Sequence, residues 1–268
     1  MINSILSYLN KLFAVIFPFS VKIKGVFVYY NSLDRMIATI LWKFGFLEGY
    51  EMNLFLSFLK EGDVMLDVGA NMGVYSLISS SKIGRNGKII AFEPDSDNFK
   101  IIKKSIEVNR FNNISVFPFA VSDKEEQIFF EKNTFNSGNH HIRKKKTSVT
   151  QSSIDAIKLD DFLKKEEKID IIKMDIQGAE FFAFHGMKEI IEKFPNILIF
   201  AEYWVYGLKK MGVNPKEYID LLESYGFLIY RINSSQACLE KMDYDVIRNN
   251  VEYEKNYLNF VLSKNKLT

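Results

Sequence analysis

The most constraining feature of this 268-residue chain is an alternation of short β-rich runs with helix-length stretches from residue 64 onward. Strands are expected at 64–68 (VMLDV), 88–92 (KIIAF), 114–120 (ISVFPFA), 169–174 (IDIIKM) and 197–203 (ILIFAEY), with helices over 73–82, 96–109 and 178–193. Such alternation calls for a parallel sheet covered on both faces, because parallel strands need crossovers that lie over the sheet. Beyond the fifth strand, Asn214-Pro215 opens a helix running to about Tyr225, and β-rich runs follow at 227–232 and 257–263. No helix-period segment of comparable strength separates those two runs, so they are expected to pair antiparallel. The expected architecture is an α/β fold with seven mostly parallel strands and an antiparallel edge.

Composition narrows the class. With 47% apolar and 25% charged residues, the chain is long enough for one well-buried globular domain, which excludes collagenous, disordered and multi-span membrane readings. Lys and Arg number 35 against 33 Asp and Glu, a formal charge of +2, so no long-range field marks a nucleic-acid binder. The single cysteine, Cys238, cannot form an internal disulfide or begin a thiolate zinc site, which fits a reducing, cytoplasmic setting. Residues 1–60 form an N-terminal extension that is expected to cap the site or bind the acceptor, and 61–268 form the main domain. Residues 4–19 are interrupted by Asn10 and Lys11 and fall short of a membrane span. They read as an amphipathic helix packed on the domain, with a peripheral contact at the inner membrane face as the alternative. The polar stretch 132–153, with its basic run Arg143–Lys146, reads as a solvated loop.

In an open α/β sheet, ligands bind beyond the carboxyl ends of the strands. The first strand ends in Asp67-Val68-Gly69-Ala70-Asn71-Met72-Gly73, a glycine-containing turn that feeds directly into a helix. The helix N-terminus there favours anionic groups. The second strand ends in Glu93-Pro94, where a carboxylate can accept two hydrogen bonds from ribose hydroxyls. Turn and acid together describe a nucleoside-containing ligand. A dinucleotide fingerprint needs glycines at offsets 0, 2 and 5, but these positions hold Gly69, Asn71 and Val74; no G-K-[ST] follows any glycine turn, which removes a P-loop. Gly69 and Gly73 instead match the acid-x-G-x-x-x-G spacing of turns that hold S-adenosylmethionine.

The blocks LDVGANMGVYSL, IIAFEPDSDNFKIIKKSIEVN, FPFAVSDKE, LDDFL and IIKMDIQGAE follow one another in the order and spacing of FkbM-family methyltransferases. The resemblance runs from about Tyr50 to Phe200 and more loosely to the C-terminal NFVLSK. Gln177 stands where the usual signature carries an acidic residue, and NSGNHHI (136–142) with EYWVYGL (202–208) resembles one branch of the family. The resemblance implies a class I methyltransferase fold with S-adenosylmethionine at the ends of strands one to four. Asp67, Gly69, Ala70, Asn71 and Gly73 would face the methionine part, and Glu93 with Pro94 would hold the ribose. Asn98 belongs to the same set, Asn109 either joins it or caps its helix, and Ala120, Val121 and Ser122 would border the adenine. For Asp67 and Asn71 the competing reading is local turn hydrogen bonding.

Methyl transfer from a sulfonium is an in-line displacement, so alignment and exclusion of water supply most of the catalysis, and a base removes the proton of a hydroxyl acceptor. The catalytic candidates are Asp175, His140 and Glu202. Asp175 has a second reading, orientation of the cofactor's ammonium group. Tyr203 and Trp204 are candidates for lining the acceptor site, since aromatic faces suit sugar rings; core packing competes for Trp204. Lys173 is expected to pair with a carboxylate beneath the site, and His185 to pack among apolar neighbours. Asp175, Gln177, Glu180 and Glu202 offer oxygens to a cation, but Gln177 removes charge from the set, and no metal requirement is expected. The expected activity is O-methylation of a sugar or secondary-metabolite hydroxyl. The acceptor class is a small molecule, glycan or peptide rather than nucleic acid. Amide N-methylation, an NAD-dependent oxidoreductase and a non-catalytic binding protein on the same fold remain as alternatives.

Overall fold

A computed structural model describes residues 20–30, 49–131, 141–143, 152–249 and 257–267. In chain order the strands are β1 (Ser20–Ile23), β2 (Val26–Tyr29), β3 (Val64–Val68), β4 (Lys88–Phe92), β5 (Ile114–Phe117), β6 (Ala120–Ser122), β7 (Glu126–Glu131), β8 (His141–Arg143), β9 (Ser152–Lys158), β10 (Ile171–Met174), β11 (Leu198–Trp204), β12 (Leu228–Asn233), β13 (Cys238–Met242) and β14 (Tyr257–Ser263). The large sheet has the order β13-β12-β14-β11-β10-β3-β4-β5. Neighbours from β11 to β5 pair parallel, whereas β14 runs antiparallel to both β11 and β12. The expected antiparallel pairing of 227–232 with 257–263 is therefore present. The large sheet has eight strands rather than seven, because β13 folds back on β12 as an edge hairpin.

Side chains alternate across each strand, and both faces of this sheet are apolar, as a mostly parallel sheet requires. Leu66, Ile90, Phe92, Ile172 and Ile199 face Phe184, Ile190 and Leu222 of the helices Glu180–Gly186, Lys188–Lys193 and Pro215–Ser224. Met65, Ile89, Ile171 and Phe200 face Phe55, Leu59 and Ile83 on the other side. The helix Pro215–Ser224 starts where expected: Pro215 occupies its first turn and the Asn214 side chain accepts from Lys216 N at 3.0 Å. The helix expected over 178–193 is two helices, broken at Met187, whose backbone (φ −126°, ψ 25°) leaves the helical region while its side chain is buried.

Three other features depart from the sequence reading. The run 114–120 is not one strand: it breaks at Pro118, which has no N–H for a ladder, and Ala120–Ser122 leave the large sheet. Strands β6 and β7 both pair with β9, giving a second sheet of order β6-β9-β7-β8 that the strand alternation does not foretell. Part of the stretch read as a solvated loop, 132–153, is thus strand, while the remainder, His140 and residues 4–19 lie outside the described residues. The β1–β2 hairpin shares a hydrophobic cluster with Met52, Met72, Leu77 and Ile78. Asn109 donates its Nδ2 to the Ser105 carbonyl in the last turn of its own helix at 2.7 Å and also reaches out of it. Its side chain pairs with the backbone of Phe27, accepting at 2.9 Å and donating at 2.6 Å, and so ties the N-terminal extension to the domain.

Candidate active site

The turn after β3 is organised by backbone contacts before any ligand is considered. Gly69 and Ala70 donate to the Phe92 carbonyl, both at 3.0 Å, locking the turn to the end of β4. Gly69 has φ 82°, and a Cβ there would overlap the Asp175 carbonyl oxygen and the Ile176 side chain. The glycine thus permits close passage of the two neighbouring strand ends. Gly69→Ala should destabilise the protein by about 2–4 kcal/mol, combining left-handed strain with a clash against main chain; thermal unfolding checks this, and an unchanged midpoint refutes it. Asn71, with φ 52°, donates its N–H to Glu93 Oε2 at 2.7 Å, and its Oδ1 accepts from Asn98 Nδ2 at 3.2 Å. Gly73 is the N-cap of the helix Val74–Ile83 and its carbonyl accepts from Leu77 N at 2.8 Å.

Glu93 is 5% exposed, and its other oxygen, Oε1, accepts from Asp95 N at 2.8 Å across Pro94. Asp95 in turn caps the next helix, accepting from Asp97 N and Asn98 N. Burial pushes the Glu93 carboxyl from 4.5 up to about 8, against the pull of the Asp95 and Asn71 N–H groups. A carboxylate has about four acceptor positions. Two are filled by backbone, so Glu93 can still accept from the two hydroxyls of a ribose, and the residues here fit a nucleoside with that diol.

A second group of charges lies at the carboxyl ends of β10 and β11. The Asp175 side chain is 44% exposed; its Oδ2 lies 3.8 Å from Lys173 Nζ and its Oδ1 accepts from Gln177 Nε2 at 2.8 Å. The same Gln177 nitrogen lies 3.2 Å from Glu202 Oε2, so one amide, on a residue with φ 57°, bridges the two acids. Glu180 is buried and turns back on its own loop, accepting from Ile176 N at 2.9 Å and Gly178 N at 2.8 Å. Burial, reinforced by Asp175 and Glu180, pushes the Glu202 carboxyl up to about 9, and burial takes Glu180 to about 7. Glu202 therefore carries a proton at neutral pH. Lys173 is buried; burial alone would lower its ammonium, but Asp175, Glu51, Asp67 and Glu202 outweigh it and hold it above the ordinary lysine value. Its Nζ also sits 5.0 Å from the centre of the Tyr75 ring.

Residues 67–229, more than half the chain, match the family described as the Methyltransferase FkbM domain. The chain belongs to the FkbM methyltransferase family. It is 25% identical over 186 residues to the hexuronic acid methyltransferase AglP of Haloferax volcanii, covering 68% of this chain and 71% of that protein. It is 26% identical over 188 residues to the 2-O-methyltransferase NoeI of Sinorhizobium fredii, covering 63% and 75% respectively. A solved FkbM methyltransferase from Methylobacillus flagellatus superimposes with a TM-score of 0.45 at 16% identity, over 86% of this chain and 55% of the other. This FkbM methyltransferase is accordingly an enzyme that transfers methyl groups, on a class I methyltransferase fold.

The structure distributes the expected site residues unevenly. Asn71, Glu93 and Asn98 form one hydrogen-bonded unit. Asp67 does not face that unit: Oδ2 accepts from Ser76 N at 3.1 Å and Ser76 Oγ at 2.5 Å, so its carboxylate fastens the following helix. Strand alternation places it beside Lys173, its partner across β3–β10. Ala120 and Val121 are buried in separate apolar clusters, and the Ser122 carbonyl lies where a Cβ on Gly186 would fall. Tyr203 belongs to the core, stacked between Tyr218 at 5.9 Å and Phe260 at 5.4 Å, whereas Trp204 is half-buried. His185 is exposed, with its ring against Phe181 alone among the described aromatic contacts, so it is not a core histidine. Carboxylate oxygens of Asp175, Glu180 and Glu202 lie within 4.8 Å of one another, though backbone N–H groups already occupy both Glu180 oxygens.

Sequence reasoning missed Tyr75, Glu51 and Asn259. Glu51, from the N-terminal extension, accepts from Tyr75 OH at 3.2 Å and from Asn259 Nδ2 at 2.6 Å. Asn259 lies opposite Glu202 across β11–β14. A contact spanning 208 residues of sequence leaves no local signal. Both partners read as ordinary surface residues until the chain is folded.

Proposed function

We propose that this enzyme is an S-adenosylmethionine-dependent O-methyltransferase whose acceptor is a sugar hydroxyl. The observation that carries the reading is the close approach of the Asp175 backbone to Gly69, which joins the end of β10, with its partly exposed Asp175 carboxylate, to the turn whose Asn71 N–H is held by Glu93. The Gly69–Gly73 turn and Glu93 would hold the cofactor, Glu93 through the ribose hydroxyls. S-adenosylmethionine supplies an electrophilic methyl group when bound. Asp175 accepts the proton of the acceptor hydroxyl at Oδ2, the oxygen facing Lys173, while Gln177 holds Oδ1. Lys173 offsets the negative charge that must be kept at this point.

The relatives named for a hexuronic acid and for 2-O-methylation support the sugar acceptor. A formal charge of +2 on the chain argues against a nucleic-acid acceptor. No helix among the described residues is long and apolar enough to cross a membrane; we place the enzyme in the cytoplasm, with residues 4–19 as the segment to test for membrane contact. Saturating S-adenosylhomocysteine should raise the thermal midpoint, since binding to the native state alone stabilises it. Incubation with S-adenosylmethionine should add one methyl mass to methyl glycosides. No thermal shift, or transfer only to peptide amides, would overturn the assignment.

A further inference from the structure

We propose that Trp204, Tyr206 and Tyr257 form a platform on which an uncharged sugar ring of the acceptor stacks, presenting a hydroxyl to Asp175. This rests on the sugar O-methylation reading and adds to it a recognition surface and a charge preference. Across β11–β14, Glu202 is opposite Asn259 and Trp204 is opposite Tyr257. Opposed residues of an antiparallel pair share a face, as do residues two apart on a strand. The four side chains therefore make one strip, with its polar pair next to the acids and its aromatic pair at the outer end.

Contacts make the strip continuous with the site. A Cβ on Gly207 would run into the Trp204 indole, and a Cβ on Gly178 would run into the Gly207 backbone. The indole thus lies on Gly207, and Gly207 lies on the residue that follows Gln177. Tyr206 adds a ring 5.5 Å from Trp204, tilted by 50°. Tyr206 is 58% and Tyr257 is 61% exposed. They are the two most exposed large apolar side chains among the described residues, and both flank the same tryptophan. Exposed aromatic surface concentrated at the mouth of a site marks a binding face rather than chance.

The chemistry of the surroundings selects the occupant. Flat rings with a polar edge take the C–H face of a sugar and leave its hydroxyls free for hydrogen bonds. A nucleobase would stack as well. However, the acids Asp175 and Glu51 lie here, with Glu180 beside them and Lys173 as the one cation among the described residues of the group, so the phosphates of a nucleic acid would be repelled. The same repulsion acts on a hexuronate carboxylate. A ring bearing hydroxyls alone meets no such opposition.

The test compares methyl glucoside, methyl glucuronoside and a single-stranded oligonucleotide as acceptors for the full-length wild type, Tyr206→Ala, Tyr257→Ala, the double variant and Trp204→Phe. Expected results are transfer to the glucoside in preference to the glucuronoside, and a KM for the glucoside raised roughly tenfold in the double variant. The kcat and the S-adenosylhomocysteine affinity should stay within about twofold, because neither tyrosine touches the Glu93 turn. Trp204→Phe, which keeps a ring over Gly207, should fall between. Sugar methylation with an unchanged KM in every variant overturns the platform but leaves the proposed function standing. Preference for the glucuronoside overturns the charge argument. Transfer to the oligonucleotide, or to no saccharide, overturns both readings.

Discussion

Above about pH 8, where the carboxyl is ionised, Glu93→Gln is expected to weaken S-adenosylhomocysteine binding by about 10²–10⁴-fold, the equivalent of two hydrogen bonds to a charged acceptor at roughly 1.5–3 kcal/mol each. Glutamine keeps the shape but offers one acceptor oxygen where Asn71 N and Asp95 N now each have their own. One buried N–H then loses its partner, so the fold should also lose about 1–3 kcal/mol. Calorimetry and circular dichroism on the same sample separate the two effects. Retained affinity would remove Glu93 from the site. The pH dependence follows from the same residue. Hydroxyls donate best to the ionised carboxylate, so affinity should rise as pH increases through about 8 in the wild type and lose that dependence in the glutamine variant. Stability runs the other way. The folded carboxyls of Glu93, Glu180 and Glu202 lie at about 8, 7 and 9, above the ordinary 4.5. A raised folded value means the associated stability is fully present below about pH 4.5 and is lost as pH climbs through those values, so the ligand-free thermal midpoint should fall between pH 5 and 9.

Asp175→Asn is expected to lower kcat by about 10²–10⁴-fold, the usual range for losing a general base, with S-adenosylhomocysteine affinity unchanged. Asparagine can keep a hydrogen bond with Gln177 but cannot accept the acceptor's proton. Glu202→Gln is the control. Glu202 already holds a proton at neutral pH, so an uncharged isostere should cost less than about tenfold at pH 7. Rapid-quench turnover alongside equilibrium binding distinguishes the outcomes. If Asp175→Asn abolishes binding instead, the carboxylate orients the cofactor's ammonium group. If Glu202→Gln is the more damaging change, the two acids exchange roles.

The two acids differ although they lie toward the carboxyl ends of neighbouring central strands of one sheet. Asp175 lies just past β10, is partly exposed and has Lys173 beside it. Glu202 lies within β11, between the sheet and the Glu51–Tyr75–Asn259 network, and is desolvated. Position along a strand is visible in sequence; the depth of cover above it is not.

Local chemistry determined much of this protein. Hydrophobic period and turn residues place β3, β4, β10, β11, β12 and β14 within one or two residues, and Asn214-Pro215 starts its helix where the side chain can cap it. The spacing of Gly69, Asn71, Gly73 and Glu93 is likewise local, and those residues meet because adjacent parallel strands end side by side. Tertiary structure decided the rest. It turned Asp67 onto Ser76, tied Asn109 to the N-terminal hairpin and sent Ala120–Ser122 into a second sheet. It also sorted neighbouring Tyr203 and Trp204 into core and surface. The reason in each case is the same: alternation along a strand fixes which side chains share a face, but only the packed elements decide which face is buried and which partner waits there.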